Sequence, residues 1–132
     1  MPSRIYDTSA MLRISNREEG FEKIMSLLHE SPATRARGKA SALSAFEFLF
    51  STGRNNAEVS VTSLAFFESV LDFLPADSET AKRAAFLRLK YRGLNLSMAD
   101  AIILQTGIDN GFEVITCDRE WSKVSEAKVV VV

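Results

Sequence analysis

The 132-residue chain is 46% apolar, enough to build one core, and its length predicts a single domain over residues 1–132. Sixteen Lys and Arg against seventeen Asp and Glu leave a formal net charge of −1, which excludes the overall basic excess with which duplex-DNA binders neutralise phosphates. A lone cysteine, Cys117, excludes an internal disulfide, and no apolar run nears the roughly 20 residues of a membrane span. The opening MPSRIYDTSA has no apolar signal core, so a soluble, cytoplasmic protein without a membrane partner is expected.

In chain order, Arg4–Asp7 (RIYD) reads as a first strand ending in a carboxylate, with Asp7, Thr8 and Ser9 as punctuation. Glu18–Glu30 predicts an amphipathic helix with Phe21, Ile24, Leu27 and Leu28 inward, stopped by Ser31 and Pro32. RARGKASALS is a loop entering a short strand, and Ser44 is expected to begin a second helix closed by Gly53. The segment from Val59 to Phe73 predicts a helix with Leu64, Phe67, Val70 and Leu71 on one side, then a strand near 71–75. Asp77 or Ser78 caps a helix ending by Gly93, in which Ala81, Ala85, Leu89 and Arg92 recur at helical steps; Ser97 starts another. Phe112–Thr116 is a strand, Asp118–Val124 a helical turn, and Lys128–Val132 a last β-branched strand. Strands separated by helices of this length imply an α/β fold on a parallel sheet. In such sheets ligands bind beyond the carboxyl ends of the strands, where Asp7 and Asp118 fall.

Four carboxylates occupy strand ends or helix starts: Asp7, Glu47, Asp100 and Asp118. Individually each has a plain structural role. Ser44-x-x-Glu47 and Ser97-x-x-Asp100 match capping boxes, and the other two suit turns or N-caps. Jointly they fall on one rim of the predicted sheet. Carboxylates converging at roughly 5 Å repel by about 3 kcal/mol per pair at an effective dielectric near 20, so such a cluster binds protons or a cation. Oxygen-only donors select Mg²⁺ or Mn²⁺, as one or two ions, over Zn²⁺. Such an ion polarises a phosphate oxygen and activates water for in-line attack. The single His29 excludes a histidine-pair ribonuclease and reads as a surface or partly buried helix residue, not a catalyst.

The motifs IYDTSAML, SALSAFEFLF, LSMADAIIL and ITCDREW, in this order and followed by a valine strand, resemble the PIN-domain family, particularly the VapC-like toxins of prokaryotic toxin–antitoxin pairs. The spacing of the last pair is the most specific feature, with one helix and one strand between Asp100 and Asp118. The resemblance implies a three-layer α-β-α sandwich on a parallel sheet of about five strands. It also implies a metal-dependent endoribonuclease in which Asp7, Glu47, Asp100 and Asp118 are catalytic and metal-binding, supported by Ser9, Thr116 and Glu120. RNA substrate, an antitoxin protein and a homodimer are the implied partners. Arg13, Arg35, Arg37, Lys39, Arg54 and Arg119 are candidates for contacting RNA from loop or near-site positions, and Cys117 reads as a small buried residue, not a nucleophile. A housekeeping RNA-processing nuclease and a non-catalytic binding module on the same fold are the alternatives. Phosphoacceptor and haloacid-dehalogenase-type sites are disfavoured, since Tyr6 precedes Asp7 and Ser9 stands where a second Asp is needed. The aromatic-rich segments AFEFLF and SLAFFESVLDFL predict core burial, with an apolar groove or dimer surface as the other reading.

Overall fold

The computed structural model describes residues 2–30 and 37–132, so Arg35 and the expected stop at Ser31 and Pro32 lie outside the described residues. Five strands, β1 (Arg4–Tyr6), β2 (Gly38–Ser41), β3 (Leu71–Leu74), β4 (Glu113–Thr116) and β5 (Lys128–Val131), form one sheet in the order β3-β2-β1-β4-β5. Every pairing is parallel, with Tyr6 opposite Ile115 and Thr116 opposite Val131. The chain moves outward from β1 to β3 and then returns to the other side of β1. The direction of winding therefore reverses between β1 and β4, and the loops leaving these strands part to form a crevice.

Each inner strand is sided by alternation. Tyr6 and Ile115 face one core with Met11, Ile24, Phe48 and Phe67. Ile5 and Val114 face a second core with Leu87, Ile103, Leu104 and Trp121. Helices α1 (Thr8–Ser15), α2 (Phe21–Leu28), α3 (Ala42–Gly53) and α4 (Ala57–Val70) supply the first layer, and α5 (Ser78–Lys90) and α6 (Met98–Asn110) the second. This is the three-layer α/β arrangement expected.

Several boundaries differ from the sequence reading for local reasons. Of the turn and N-cap roles open to Asp7, the structure has the N-cap, and Thr8 and Ser9 begin α1, a helix that follows β1 directly. Helix α2 starts only at Phe21, because Gly20 stands at φ 89°, outside helical geometry. Helix α3 starts at Ala42 instead of Ser44, since Ser41 accepts a hydrogen bond from the Leu43 amide at 3.1 Å; Ser44 is inside the helix and fully buried. Asn56, through the Val59 amide, begins α4 ahead of Val59. On α5 the inward residues are Ala84 and Leu87, while Ala81, Ala85 and Leu89, which recur at helical steps, are exposed. Alanine fits either side of a helix, and its repeat alone does not identify the buried face.

Helix α6 is buried along Ala101–Gly107 because it lies between the sheet and α5, which removes the polar side an outer helix would have. Its approach to the sheet requires Gly107: a Cβ there would stand 2.5 Å from Val114 Cγ2 and 3.5 Å from Ile5 Cγ2. Gly107→Ala gains helix propensity of about 0.5–1 kcal/mol, but overpacking of about 1–3 kcal/mol opposes it. At 2.5 Å the clash dominates. Thermal melting is expected to show Gly107→Ala several degrees below wild type, with part of the loss recovered on adding Val114→Ala. A single variant as stable as wild type would contradict this packing.

Candidate active site

A cleft of about 440 Å³ opens where the sheet winding reverses, and Asp7, Glu47, Asp100 and Asp118 all line it, beside Thr8, Ser9 and Trp121. Four different elements deliver the carboxylates. Asp7 leaves β1, Asp118 follows β4, Glu47 is on α3 and Asp100 is in the first turn of α6.

Asp7 is the most deeply placed, at 4% exposure. Its Oδ2 accepts from Ser9 Oγ at 2.7 Å and from Thr116 Oγ1 at 2.9 Å. Both hydroxyls are themselves held, because Ser9 Oγ accepts the Cys117 amide and Thr116 Oγ1 accepts the Asp118 amide, each at 3.1 Å. The ends of β1 and β4 are thereby tied through one carboxylate oxygen. Burial pushes the Asp7 carboxyl up to about 6; the charge of Asp100 adds to this, and the Ser9 and Thr116 hydrogen bonds oppose it.

Asp100 both caps and lines the cleft. Its Oδ2 accepts the Ser97 amide at 2.9 Å while Ser97 Oγ accepts the Asp100 amide at 3.0 Å, a complete capping box. Burial raises its pKa, the Ser97 hydrogen bonds lower it, and the charge of Asp118 raises it further. Asp118 Oδ1 likewise accepts the Glu120 amide at 2.9 Å, capping the 3₁₀ turn Arg119–Lys123. Glu47 does not cap α3. Its Oε1 accepts from Thr8 Oγ1 at 2.7 Å, and that hydroxyl also lies 2.9 Å from the buried Ser44 Oγ.

The donor chemistry fits a hard divalent cation: oxygen ligands only, one of them buried and reluctant to ionise beside a second carboxylate. Among the described residues, however, no three His, Cys, Asp or Glu side chains converge closely enough to ligate one ion as they are placed. The four share a cleft without meeting at a point.

The remaining sequence candidates divide. Ser9 lines the cleft and Thr116 supports it from a fully buried position. Glu120 is an exposed residue paired with Lys123 at 2.7 Å and is not part of the cleft lining. Arg37 and Lys39 stand at the start of β2, away from the carboxyl ends, where both pair with Asp72, at 3.2 and 2.8 Å. Arg13 donates to the Val132 carbonyl at 2.9 Å. Arg54 lies over the ring of the cleft residue Phe50, and Arg119 is exposed next to Asp118. His29 is an exposed C-cap residue of α2. Cys117 is half-buried, not fully buried as expected, because it follows the end of β4; partial burial still pushes its thiol up, which disfavours the thiolate. The sequence assigns no site role to the cleft residues Thr8, Leu12, Ser51 and Trp121. Trp121, 1% exposed, packs beneath the cleft with its Nε1 lacking a partner among the described residues. A lone tryptophan three residues after Asp118 was the available signal.

A PIN domain family model matches residues 4–127. The fold is similar to that of VapBC2 from Rickettsia felis bound to a promoter DNA fragment, with TM-score 0.79 and 15% identity over 97% of each chain. It is also similar to the sarcin–ricin-loop-cleaving toxin VapC20 of Mycobacterium tuberculosis, with TM-score 0.78 and 16% identity over 96% of this chain and 98% of that one. A toxin–antitoxin complex from Klebsiella pneumoniae matches with TM-score 0.73 and 22% identity over 98% of this chain and 97% of that one. No curated protein sequence matches.

Because the folded pKa of Asp7 lies above the ordinary carboxylate value, the folded state keeps a proton between about pH 4 and 6 that the unfolded chain has released. Stability contributed by this group therefore falls as pH rises through that window, by about 2–3 kcal/mol in total. Asp7→Asn is expected to raise the melting temperature by several degrees in metal-free buffer near pH 7.5, with the difference closing near pH 4. A variant equally destabilised at both values would rule out this electrostatic cost.

Proposed function

The chain belongs to the PIN-domain family, and from that premise we propose that it is a Mg²⁺- or Mn²⁺-dependent endoribonuclease acting as the toxin of a toxin–antitoxin pair. The observation that carries the enzymatic reading is the gathering of four carboxylates from four elements into one cleft, with the pKa of the most buried raised by burial and further by the charge of Asp100. A purely structural set of caps has no need to share a cleft. The toxin role, and an antitoxin as partner, rest on fold likeness to toxin–antitoxin structures.

In this reading Asp7, Asp100 and Asp118 hold the cation, with Glu47 completing the set from α3. Their hydrogen bonds orient them in advance: Oδ2 of Asp7 and Asp100 and Oδ1 of Asp118 are committed to protein donors, which restrains each carboxyl plane. A bound divalent ion supplies polarisation of a phosphate oxygen and a water of lowered pKa. Burial of Asp7 beside Asp100 makes its ionisation costly without a cation, so metal occupancy and deprotonation of the site are coupled. The Thr116 and Ser9 hydroxyls favour the ionised form of Asp7.

The test is cleavage mapping on a panel of structured RNAs with and without chelator. Wild type is expected to cut only with Mg²⁺ or Mn²⁺, and Asp7→Asn or Asp118→Asn to lower the rate at least a hundredfold while keeping the fold. Asp118→Asn cutting as fast as wild type would remove the site assignment. A calorimetric companion experiment reads metal binding directly. Millimolar Mn²⁺ should raise the wild-type melting temperature through preferential binding to the folded state, and the rise should shrink in Asp7→Asn. An unchanged wild-type melting temperature would count against a metal site.

A further inference from the structure

Among the described residues, exposed large apolar side chains occur on four helices: Phe46 and Phe50 on α3, Val59, Val61 and Phe66 on α4, Phe86 and Leu89 on α5, and Met98 at the start of α6. Of these, Phe46 and Phe50 line the acidic cleft, although they are 69% and 63% exposed. They lie one helical turn apart, with ring planes 8° from parallel and centroids 5.8 Å apart. One turn further on, the Arg54 guanidinium sits 5.4 Å from the Phe50 centroid. The three side chains form a column along α3. Arg54 closes one end, and Phe46 stands at the other, with Phe50 as its only ring partner among the described residues. The next residue, Glu47, turns into the cleft and accepts from Thr8. An open aromatic plane therefore stands one residue from a cleft carboxylate.

We infer that this column is a stacking platform for unpaired bases: a base beside the phosphate held in the cleft stacks on Phe46, and Arg54 contacts the strand's backbone. The inference rests on the nuclease reading for the identity of the strand as RNA. Phenylalanine and arginine also occur in protein interfaces, but parallel rings closed by a cation suit flat π systems joined by anionic linkers, and the place of both rings on the lining of the acidic cleft puts the platform beside the substrate strand. Charge balance supports the same occupant. With a net charge of −1 and Arg37 and Lys39 engaged by Asp72, general attraction to phosphate is weak, and stacking provides affinity that does not depend on sequence. A duplex, whose bases already stack on one another, cannot use the platform. Phe46 and Phe50 would thus select single-stranded segments and set how the strand lies across the carboxylates.

The test is fluorescence anisotropy with a labelled single-stranded RNA dodecamer in buffer free of divalent ions, scanned with one abasic site at each position. Wild type is expected to lose about fivefold or more in affinity at one or two positions and little elsewhere. Phe46→Leu, which keeps apolar bulk without a ring face, should weaken the intact strand to a similar extent and abolish that sensitivity. Phe46→Tyr should preserve both, and Phe50→Leu gives a second, independent reading. A flat abasic scan overturns the platform, as does Phe46→Leu retaining the full wild-type sensitivity. Sedimentation run in parallel distinguishes a second copy. If Phe46→Leu splits a dimer and weakens intact and abasic strands equally, the rings are an interface and the inference fails. Cleavage of the same strand with Mn²⁺ separates the two readings: cutting with a flat scan removes only the platform, whereas base-dependent binding without cutting removes only the nuclease.

Discussion

The rest of the structure is arranged around one buried carboxylate. Asp7 sits at the end of the central strand, where the sheet reverses its winding, and its Oδ2 joins the hydroxyls of Ser9 and Thr116. Those hydroxyls accept the amides of Cys117 and Asp118, so the chain leaving β4 is positioned by the same oxygen that holds the chain leaving β1. Without these donors the carboxylate would be an uncompensated buried charge, and with them it remains hard to ionise. The fold keeps a group that costs stability at neutral pH, which is the usual mark of a site maintained for its chemistry.

The other three carboxylates are anchored more cheaply, by roles that an ordinary helix start would fill anyway. Asp100 closes a capping box and Asp118 caps a 3₁₀ turn, each through one oxygen. Capping a helix and lining the cleft are not alternatives here. Helix N-termini supply amides and a favourable dipole for negative charge, so they are natural places from which to present carboxylates to a shared cleft. Glu47 differs, because Ser41 has already satisfied the start of α3 and leaves the glutamate to Thr8.

Charge elsewhere is sorted along the strands. At the end of the sheet opposite the cleft, Arg4, only 8% exposed, is paired with Glu30 and with Glu113, the latter at 3.1 Å. Arg37 and Lys39 meet Asp72 at the start of β2. Cations that a linear reading would place beside the acidic residues are therefore used to fasten the amino ends of strands. Those near the cleft are the few whose helices end or begin there, Arg54 and Arg119.

Much was readable before folding was considered. The β-branched runs around Ile5, Val114 and Val129–Val131, the capping signals at Asp77 and Ser97, and the spacing of Asp100 and Asp118 determine an α/β chain with carboxylates at strand ends. These features are local, because they depend on propensity, period and caps within a few residues. Tertiary structure decided what depends on neighbours far along the chain. It chose Ser41 over Ser44 as the cap of α3 because the preceding strand ends there, and it turned Ala84 and Leu87 inward on α5 because α6 packs against that side. It left Phe46 and Phe50 in water while burying Phe48 between them in sequence, since only one side of α3 meets the core. Composition specifies how many aromatic rings a chain has, but only the packed layers determine which of them remain available to a ligand.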